Sequence, residues 1–324
     1  MGGWEFSKGL HEVGQGVFAY LQPDGTWGYS NAGLVTSGGE SLLVDTLMGL
    51  SITREMLDEM RRKVPAAARI GRLVNTHANP DHVLGNELVE GAEIIAAAKT
   101  AEEMAELDPA LLERINQYPP QGEASEFLFE TMGRKFDLSG ATITLPTTTF
   151  EQRLSLTVHD KRVELVNLGP AHTKADTIVY VPEDRVVFTG DLLFNEGHPI
   201  MWAGPIANWI GACDFIEGLD VEVVVPGHGP VTDKRAVRRL RSYLEFMHKE
   251  ARSRFDAGLG WEEAARDIAF DEFRHWTDSE RVVANVCALY REFEPALAPT
   301  PLFEVFAAMQ RYRLAHGGHD HPHG

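Results

Sequence analysis

The residues best suited to do chemistry in this chain are histidines and aspartates in short loops. The densest group is the segment His77-Ala78-Asn79-Pro80-Asp81-His82, which follows a β-type run ending at Asn75. Other β-type or apolar runs precede three further candidates, namely His172, Asp191 and His228. Imidazoles and carboxylates suit zinc, iron or manganese, and loops are where a rigid scaffold presents such ligands. One such residue is common in any protein, but the four loops together predict a metal site.

The elements that must position these loops are strands and helices in alternation over the first two-thirds of the chain. Runs bounded by Gly, Pro, Asn or Asp predict strands over 16–21, 30–36, 40–45, 69–75, 154–159, 162–168, 177–181, 186–189 and 221–225. Apolar residues at three- to four-residue spacing predict a helix over about 51–64. A helical insert is predicted over about 97–136, and the chain after 232 is almost wholly helical in pattern. The pattern is that of an α/β fold.

Composition excludes several classes of protein. The 324 residues are 44% hydrophobic and 24% charged, which is ordinary for a globular chain and excludes disordered and collagen-like proteins. The absence of a long apolar run, of a visible signal peptide and of more than two cysteines favours a cytoplasmic location. A net charge of −18 argues against binding to nucleic-acid phosphates. We therefore expect a small-molecule substrate, with neither nucleic acid nor a membrane as partner.

The order of the candidate residues resembles the metallo-β-lactamase superfamily. The signature of that family is His-x-His-x-Asp-His, then a distant His, an Asp in a Thr-Gly-Asp context and a final Pro-Gly-His. Here the matching residues are His77, Asp81, His82, His172, Asp191 and His228. The resemblance covers roughly 13–235 and includes an opening hairpin with Asn31-Ala32-Gly33 and Leu42-Leu43-Val44-Asp45. It implies an αββα sandwich with metal ions at the edge where the two sheets meet.

The resemblance also implies a division of the chain. A catalytic domain would span 1–235 and include the helical insert, and a helical extension over 236–315 would pack on it. The residues 316–324 form a His-rich tail that we expect to be disordered. The tail histidines could also bind a metal weakly; they are His316, His319, His321 and His323.

One residue departs from the family pattern. Asn79 stands where the second histidine of the motif would lie, beside His77 and His172 in the first metal site. The second site would use Asp81, His82 and His228, and Asp191 would bridge both. An amide oxygen is a weaker zinc ligand than imidazole, so Asn79 could ligate, contact a water of the site, or only shape the turn. One or two zinc ions per chain are expected, with iron or manganese as alternatives.

The resemblance implies acyl transfer to water. A divalent metal lowers the pKa of a water that it holds to about 7 and polarises a carbonyl. Asp81 would orient that water and pass its proton to the leaving group. We expect a metallo-hydrolase acting on an ester, thioester or lactone of a small metabolite. Two alternatives stay open: a metal-dependent polyketide cyclase/thioesterase, and an iron-dependent redox enzyme of the same fold.

Weaker signals lie in the loops around the predicted centre and in the helices. The candidate substrate contacts are Trp27, Tyr29, His198 and Trp202. Each has a plainer interpretation, since the aromatic residues could pack on neighbouring loops and His198 could be an exposed loop residue. The apolar stripe of Val282, Val286, Leu289 and Phe293 predicts either additional core or an interface. A homodimer through the C-terminal helices is therefore possible.

Overall fold

Short runs of valine, leucine and isoleucine form two β-sheets within residues 4–316, the part of the chain that the computed structural model describes. The first sheet contains, in spatial order, β1 (Gly9–Gly14), β2 (Val17–Leu21), β3 (Ala32–Ser37), β4 (Glu40–Val44), β5 (Arg72–Val74), β6 (Glu93–Ala97) and β7 (Thr148–Phe150). The second sheet has the order β12-β11-β10-β9-β8. Its strands are β8 (Arg153–Val158), β9 (Lys161–Asn167), β10 (Thr177–Val181), β11 (Val186–Phe188) and β12 (Val223–Val225).

The topology brings the carboxyl ends of several strands to one edge of each sheet. In the first sheet β4, β5 and β6 are parallel neighbours, so the segments after them leave on the same side. In the second sheet β9 and β11 both run antiparallel to β10, and β12 runs parallel to β11. The segments after β9, β11 and β12 therefore leave together. These segments carry the residues that the sequence singles out.

A continuous apolar layer lies between the two sheets. Leu42 and Val74 enter it from the first sheet, and Val186 and Phe188 enter it from the second. Val187, between them in β11, faces the opposite side and packs with the helices. Strands that are covered on both faces consist of continuous apolar runs, which explains the composition of β11 and β12.

Helices cover both outer faces. In chain order they are α1 (Leu50–Lys63), α2 (Pro80–Val83), α3 (Ala98–Glu106), α4 (Pro109–Gln117), α5 (Glu123–Leu128), α6 (Ile206–Gly218), α7 (Lys234–Asp256), α8 (Trp261–Asp267), α9 (Arg281–Phe293) and α10 (Leu302–Ala315). Met56 and Leu57 of α1 pack on Leu43 and Leu73 of the first sheet. The core on the second sheet takes side chains from α6, α7, α9 and α10. No helix of the described residues is long and apolar enough to cross a membrane.

The expected fold class, an αββα sandwich with a C-terminal helical region, is confirmed. The apolar stripe on α9 lies in the core of its own chain, where Val282, Val286 and Leu289 are fully buried. It is therefore additional core, whereas a homodimer through the C-terminal helices stays a prediction. The domain boundaries also stay predictions. Of the tail, only His316 lies within the described residues, and its ring stacks on Tyr312.

Some elements differ from the prediction or were not predicted. The insert expected over 97–136 contains the short helices α3 to α5, the last of which continues as a π-helical turn over Phe129–Gly133, and position 97 is the last residue of β6. The strands β1, β6 and β7 and the helix α6 lay outside the predicted elements. β1 has only Leu10 and Val13 as large apolar residues, and β7 has three residues. Strands such as β1 and β7 are ordered by pairing with a neighbouring strand, and the periodicity of the local sequence does not indicate that pairing.

Candidate metal centre

The candidate ligands come together at the edge where the strand ends of the two sheets meet. The segments after β5, β9, β11 and β12 together form two compact groups of candidate ligands. Within each group the ligand atoms lie within 4.8 Å of one another. The first triad consists of His77, His172 and Asp191, and the second triad consists of Asp81, His82 and His228. The two triads correspond to the two metal sites that the resemblance implies.

The carboxylate of Asp191 lies at the middle of the centre. Its Oδ1 is 3.1 Å from Nε2 of His82. Its Oδ2 is 3.6 Å from Nε2 of His77, 3.4 Å from that of His172 and 3.5 Å from that of His228. Asp191 therefore contacts imidazoles of both triads, which is the placement expected of a carboxylate shared by two metal ions.

The loops after β11 and β12 approach each other so closely that one position requires glycine. A Cβ atom at Gly227 would collide with Oδ1 of Asp191 and with the backbone of Gly190. The glycine of the Pro-Gly-His segment therefore allows Asp191 and His228 to reach the same centre.

Backbone carbonyls orient two of the four imidazoles. Nδ1 of His172 is 2.6 Å from the carbonyl oxygen of Ile200, and Nδ1 of His228 is 3.0 Å from that of Gly25. A carbonyl oxygen only accepts hydrogen bonds, so Nδ1 of each ring carries the proton. In the neutral form of each ring, which a metal ligand requires, the lone pair is then at Nε2, which faces Asp191.

Asp45, directly after β4, orients the other two imidazoles. Its carboxylate accepts hydrogen bonds from the backbone N–H of Thr76 at 2.7 Å, from the Thr76 hydroxyl at 2.7 Å and from Nδ1 of His82 at 3.0 Å. Because that hydroxyl donates to Asp45, it can accept from Nδ1 of His77, 3.0 Å away. This role of Asp45 was not predicted from the sequence. The only indication in the sequence was the position of an aspartate, Asp45, directly after the apolar run Leu42-Leu43-Val44.

Two more residues hold the ligand loops and were also missed. Asn31 donates from Nδ2 to the carbonyls of Pro226 and Gly229, which bracket the loop of His228. Asp176 accepts hydrogen bonds from the backbone N–H groups of the residues on either side of His172. Burial raises the pKa of Asp176 to about 7, although these hydrogen bonds act to lower it.

The centre fits a divalent metal ion. Nε2 of His77 has no hydrogen-bond partner, and Nε2 of His82 and Oδ1 of Asp191, although 3.1 Å apart, are not aligned for a hydrogen bond and have no other partner. Buried polar atoms without partners are rare because they lose their hydration without compensation. A metal ion would use each of these atoms as a ligand. Four imidazoles and two carboxylates suit zinc, iron or manganese.

Burial and charge act differently on the two pairs of histidines. Burial lowers the pKa values of His77 and His172 below the usual histidine range. Burial also acts to lower those of His82 and His228, but the Asp191 carboxylate and its neighbours outweigh it. The pKa of His228 is raised to about 9, and that of His82 lies well above its usual value. Metal ligands must be neutral imidazoles, so metal binding at the second triad releases protons.

The two carboxylates of the centre are ionised. Burial opposes their ionisation, but His82 and His228 outweigh it and lower the pKa of Asp81 to about 2 and that of Asp191 well below its usual value. The Asp81 side chain is 13% exposed, whereas that of Asp191 is 3% exposed. Asp81 is thus the carboxylate at the open edge of the centre.

Asn79 directs its side chain toward the first triad. Its Nδ2 is 3.0 Å from Nε2 of His172, and the residue is half-buried. A half-turn of the amide would bring the oxygen to the same place. Asn79 precedes α2 but makes no side-chain hydrogen bond that caps that helix. The geometry therefore supports contact with a metal or a water more than a role in the turn alone, and ligation by Asn79 stays a prediction.

The aromatic side chains of the first hairpin loop, Trp27 and Tyr29, make contacts with other residues of the protein. The Trp27 indole N–H donates to Oε1 of Glu280 at 2.7 Å. The Tyr29 ring packs on Phe136 with centroids 4.8 Å apart. A substrate contact by Trp27 or Tyr29 stays a prediction.

The two candidates that follow Asp191 differ in exposure. His198 is fully buried, with Nδ1 2.9 Å from the Tyr243 hydroxyl, so its interpretation as an exposed loop residue is wrong. Burial lowers the pKa of His198 to about 3 and keeps the ring neutral. Trp202 is half-buried, and its backbone N–H donates to the carbonyl of His172. A substrate contact by either residue stays a prediction.

Comparison with known families agrees with this geometry. The family model of the metallo-beta-lactamase superfamily matches residues 25–228, more than half of the chain. The chain belongs to the metallo-beta-lactamase superfamily. Members of this superfamily are mostly metallo-hydrolases and typically bind metal ions.

Individual relatives of this superfamily are distant. The beta-lactamase-like protein 2 homolog of Caenorhabditis elegans is 23% identical over 224 residues, which are 69% of this chain and 63% of that protein. The chain thus spans less than two thirds of that curated relative.

Two solved structures share the fold of this chain. The metallo-beta-lactamase from Pontibacter korlensis has a TM-score of 0.56 at 20% identity, covering 73% of this chain and 98% of its own. The sec-alkylsulfatase Pisa1 from Pseudomonas sp. has a TM-score of 0.65 at 19% identity, covering 97% of this chain and 55% of its own.

The position of Asn79 predicts unequal metal sites. In a chelator titration followed by metal counting, the first triad should lose zinc first, because it has an amide where imidazole would bind more tightly. Asn79→His should bring zinc occupancy toward two per chain. The matched control is Asn208→His on the exposed side of α6, which should leave the count unchanged. Two zinc ions of equal affinity in the native protein would contradict the prediction.

The hydrogen bonds of Asp45 generate a second prediction. Asp45→Asn removes the charge that orients His82 and Thr76, so zinc affinity at the second triad should fall about 10- to 100-fold. Competition with a chromophoric chelator measures this. Asp58→Asn, at an exposed position of α1, serves as control. An affinity within twofold of the native value would mean that Asp45 does not orient the ligand.

Proposed function

We propose that this protein is a metal-dependent hydrolase, with zinc as the metal, that cleaves an ester, thioester or lactone of a small metabolite. The observation that carries the proposal is the pair of triads around the single carboxylate of Asp191. Membership of a superfamily of mostly metallo-hydrolases supports the reaction class. The sequence contains no Gly-x-Ser-x-Gly segment that would favour a serine nucleophile.

The triads define where metal ions would bind. One ion would be held by His77, His172 and Asp191, and another by Asp81, His82 and His228. When bound, such ions lower the pKa of a coordinated water and polarise an acyl carbonyl. The Nδ1 hydrogen bonds keep the four Nε2 atoms directed at the centre, so the rings need no reorientation when metal ions displace the protons of His82 and His228.

Asp81 is the residue of the centre best placed to handle a proton. Its side chain is 13% exposed, whereas no other residue of the two triads exceeds 5%. Its Oδ2 lies 3.2 Å from Nε2 of His228. We infer that the carboxylate accepts a hydrogen bond from the attacking water and relays the proton to the leaving group.

The direct test combines metal analysis with a substrate panel on one preparation of the full chain. The panel contains an aryl ester, an acyl thioester, a lactone and a secondary alkyl sulfate, the last because the fold is similar to that of a sec-alkylsulfatase. Zinc together with hydrolysis of an acyl substrate, lost on chelation and recovered with zinc, is the expected result. Hydrolysis of the sulfate alone would contradict acyl specificity.

The same preparation separates the two alternatives. Iron with oxygen consumption and no hydrolysis would favour the redox enzyme. Ring closure of a polyketide thioester without release of a free acid would favour the cyclase. Either result would overturn the proposal of acyl hydrolysis, while metal binding itself would stand.

The role of Asp81 is tested by Asp81→Asn. The amide keeps the shape but is a far weaker base, so kcat should fall by about 10²- to 10⁴-fold. Zinc content must be measured on the same sample, because Asp81 also belongs to the second triad. A large loss of rate with zinc retained would support proton relay. A loss of less than about threefold would show that Asp81 has only a structural role.

A further inference from the structure

A buried arginine lies close to the metal centre although it belongs to the C-terminal helices. Arg281 is the first residue of α9, and its side chain is 2% exposed. Arginine is almost never fully buried unless its charge is paired. Its position, 53 residues after His228 in the chain, gave no signal in the sequence.

The guanidinium of Arg281 is held between two aromatic rings. Its central carbon is 4.4 Å from the ring centroid of Trp27 and 5.0 Å from that of Phe194. One terminal nitrogen donates to the carbonyl of His198 at 2.9 Å, and the other is 3.0 Å from Oδ2 of Asp278. The planar cation therefore has one carboxylate oxygen at 3.0 Å and two ring contacts, while its Nε has no hydrogen-bond partner.

Phe194 connects Arg281 to the candidate ligands. Its ring stacks on the ring of His228, with centroids 5.1 Å apart and planes at 9°. The same ring meets the edge of the His172 ring at 5.7 Å. Phe194 is 2% exposed, so its ring has little freedom to move away. One phenyl ring thus lies between Arg281 and an imidazole of each triad.

Trp27 provides a second connection. It lies in the hairpin loop whose Gly25 carbonyl accepts the hydrogen bond from Nδ1 of His228. That loop is joined to the start of α9 by the hydrogen bond from Trp27 to Glu280. Arg281 therefore contacts Phe194, which stacks on the ring of His228, and Trp27, which belongs to the loop that holds Nδ1 of His228.

We propose that Arg281 is a positioning residue for the metal centre, acting on His228 through Phe194 and the Trp27 loop. The C-terminal helices then contribute to the orientation of a candidate metal ligand, through Arg281 at the start of α9. A flat guanidinium can lie on both rings at once, whereas the ammonium of lysine cannot. The proposal concerns metal binding, so it does not depend on which substrate is hydrolysed.

The experiment compares zinc affinity, measured by competition with a chromophoric chelator, in the full-length chain and its variants. Arg281→Met keeps the length of the side chain and removes the guanidinium. Its matched control is Arg254→Met on α7, where a mostly buried arginine pairs with Glu250 and Asp267 away from the centre. The visible absorption of the cobalt-substituted protein reports ligand geometry, and thermal unfolding of the metal-free protein reports the fold.

Arg281→Met should weaken zinc binding at the second triad about tenfold or more and change the cobalt spectrum. Arg254→Met should leave the zinc affinity and the cobalt spectrum unchanged, even if it lowers the unfolding temperature. Affinity within twofold of the native value with an unchanged spectrum would overturn the proposal, as would failure of the native chain to bind zinc. If Arg281→Met does not fold, Arg281→Lys takes its place with the same expected direction.

The route of the effect is tested by a double-mutant cycle. Phe194→Leu keeps an apolar side chain but removes the ring that contacts His228 and His172. If Arg281 acts through that ring, the loss of zinc affinity in Phe194→Leu/Arg281→Met should be smaller than the sum of the two single losses in free energy. Additive losses would overturn the route through Phe194.

Discussion

The contact between the buried carboxylate of Asp191 and four imidazole rings is the interaction on which the rest of the centre depends. A carboxylate that is 3% exposed has lost its water, and this is costly unless positive charge or ligand bonds compensate it. Here Nε2 atoms at 3.1 to 3.6 Å surround it. Protons on His82 and His228 balance this charge, and metal ions would do so by displacing those protons. The buried charge of Asp191 is destabilising when no positive charge compensates it, and for the same reason the arrangement favours the binding of metal ions.

The sandwich maintains this arrangement because each ligand loop is tied at more than one point. The loops follow strands that end at one edge of the sheets. Asp45 connects the segment of His82 to the end of β4 through a hydrogen bond. Asn31 connects the first hairpin to the Pro-Gly-His loop through two more. Hydrogen bonds make a buried network of this kind rigid, whereas polar groups left without partners are costly. Three polar atoms of the centre, on His77, His82 and Asp191, are left without hydrogen-bond partners, and they lie where a metal ion would bind.

The C-terminal helices share one apolar core with the second sheet and with α6. Their contact with the first hairpin loop, through Trp27 and Glu280, closes the structure around the side of the centre on which His228 lies. The similarity to the sec-alkylsulfatase covers 97% of the chain and so includes these helices.

The candidate ligands could be named from the sequence, because each belongs to a short segment whose residue types and spacing are visible locally. His77, Asp81 and His82 stand in one segment, and His228 stands in a Pro-Gly-His segment. Most strands of both sheets were also predictable from apolar runs. The groups that orient the candidate ligands come from distant segments and are visible only in the folded protein. Arg281 of α9 contacts Phe194, whose ring stacks on that of His228. The hydrogen bond from Trp27 to Glu280, the residue before Arg281, joins residues 253 positions apart. Local patterns encode the backbone conformation of a segment, whereas contacts at such separation arise only when packed sheets and helices bring the segments together.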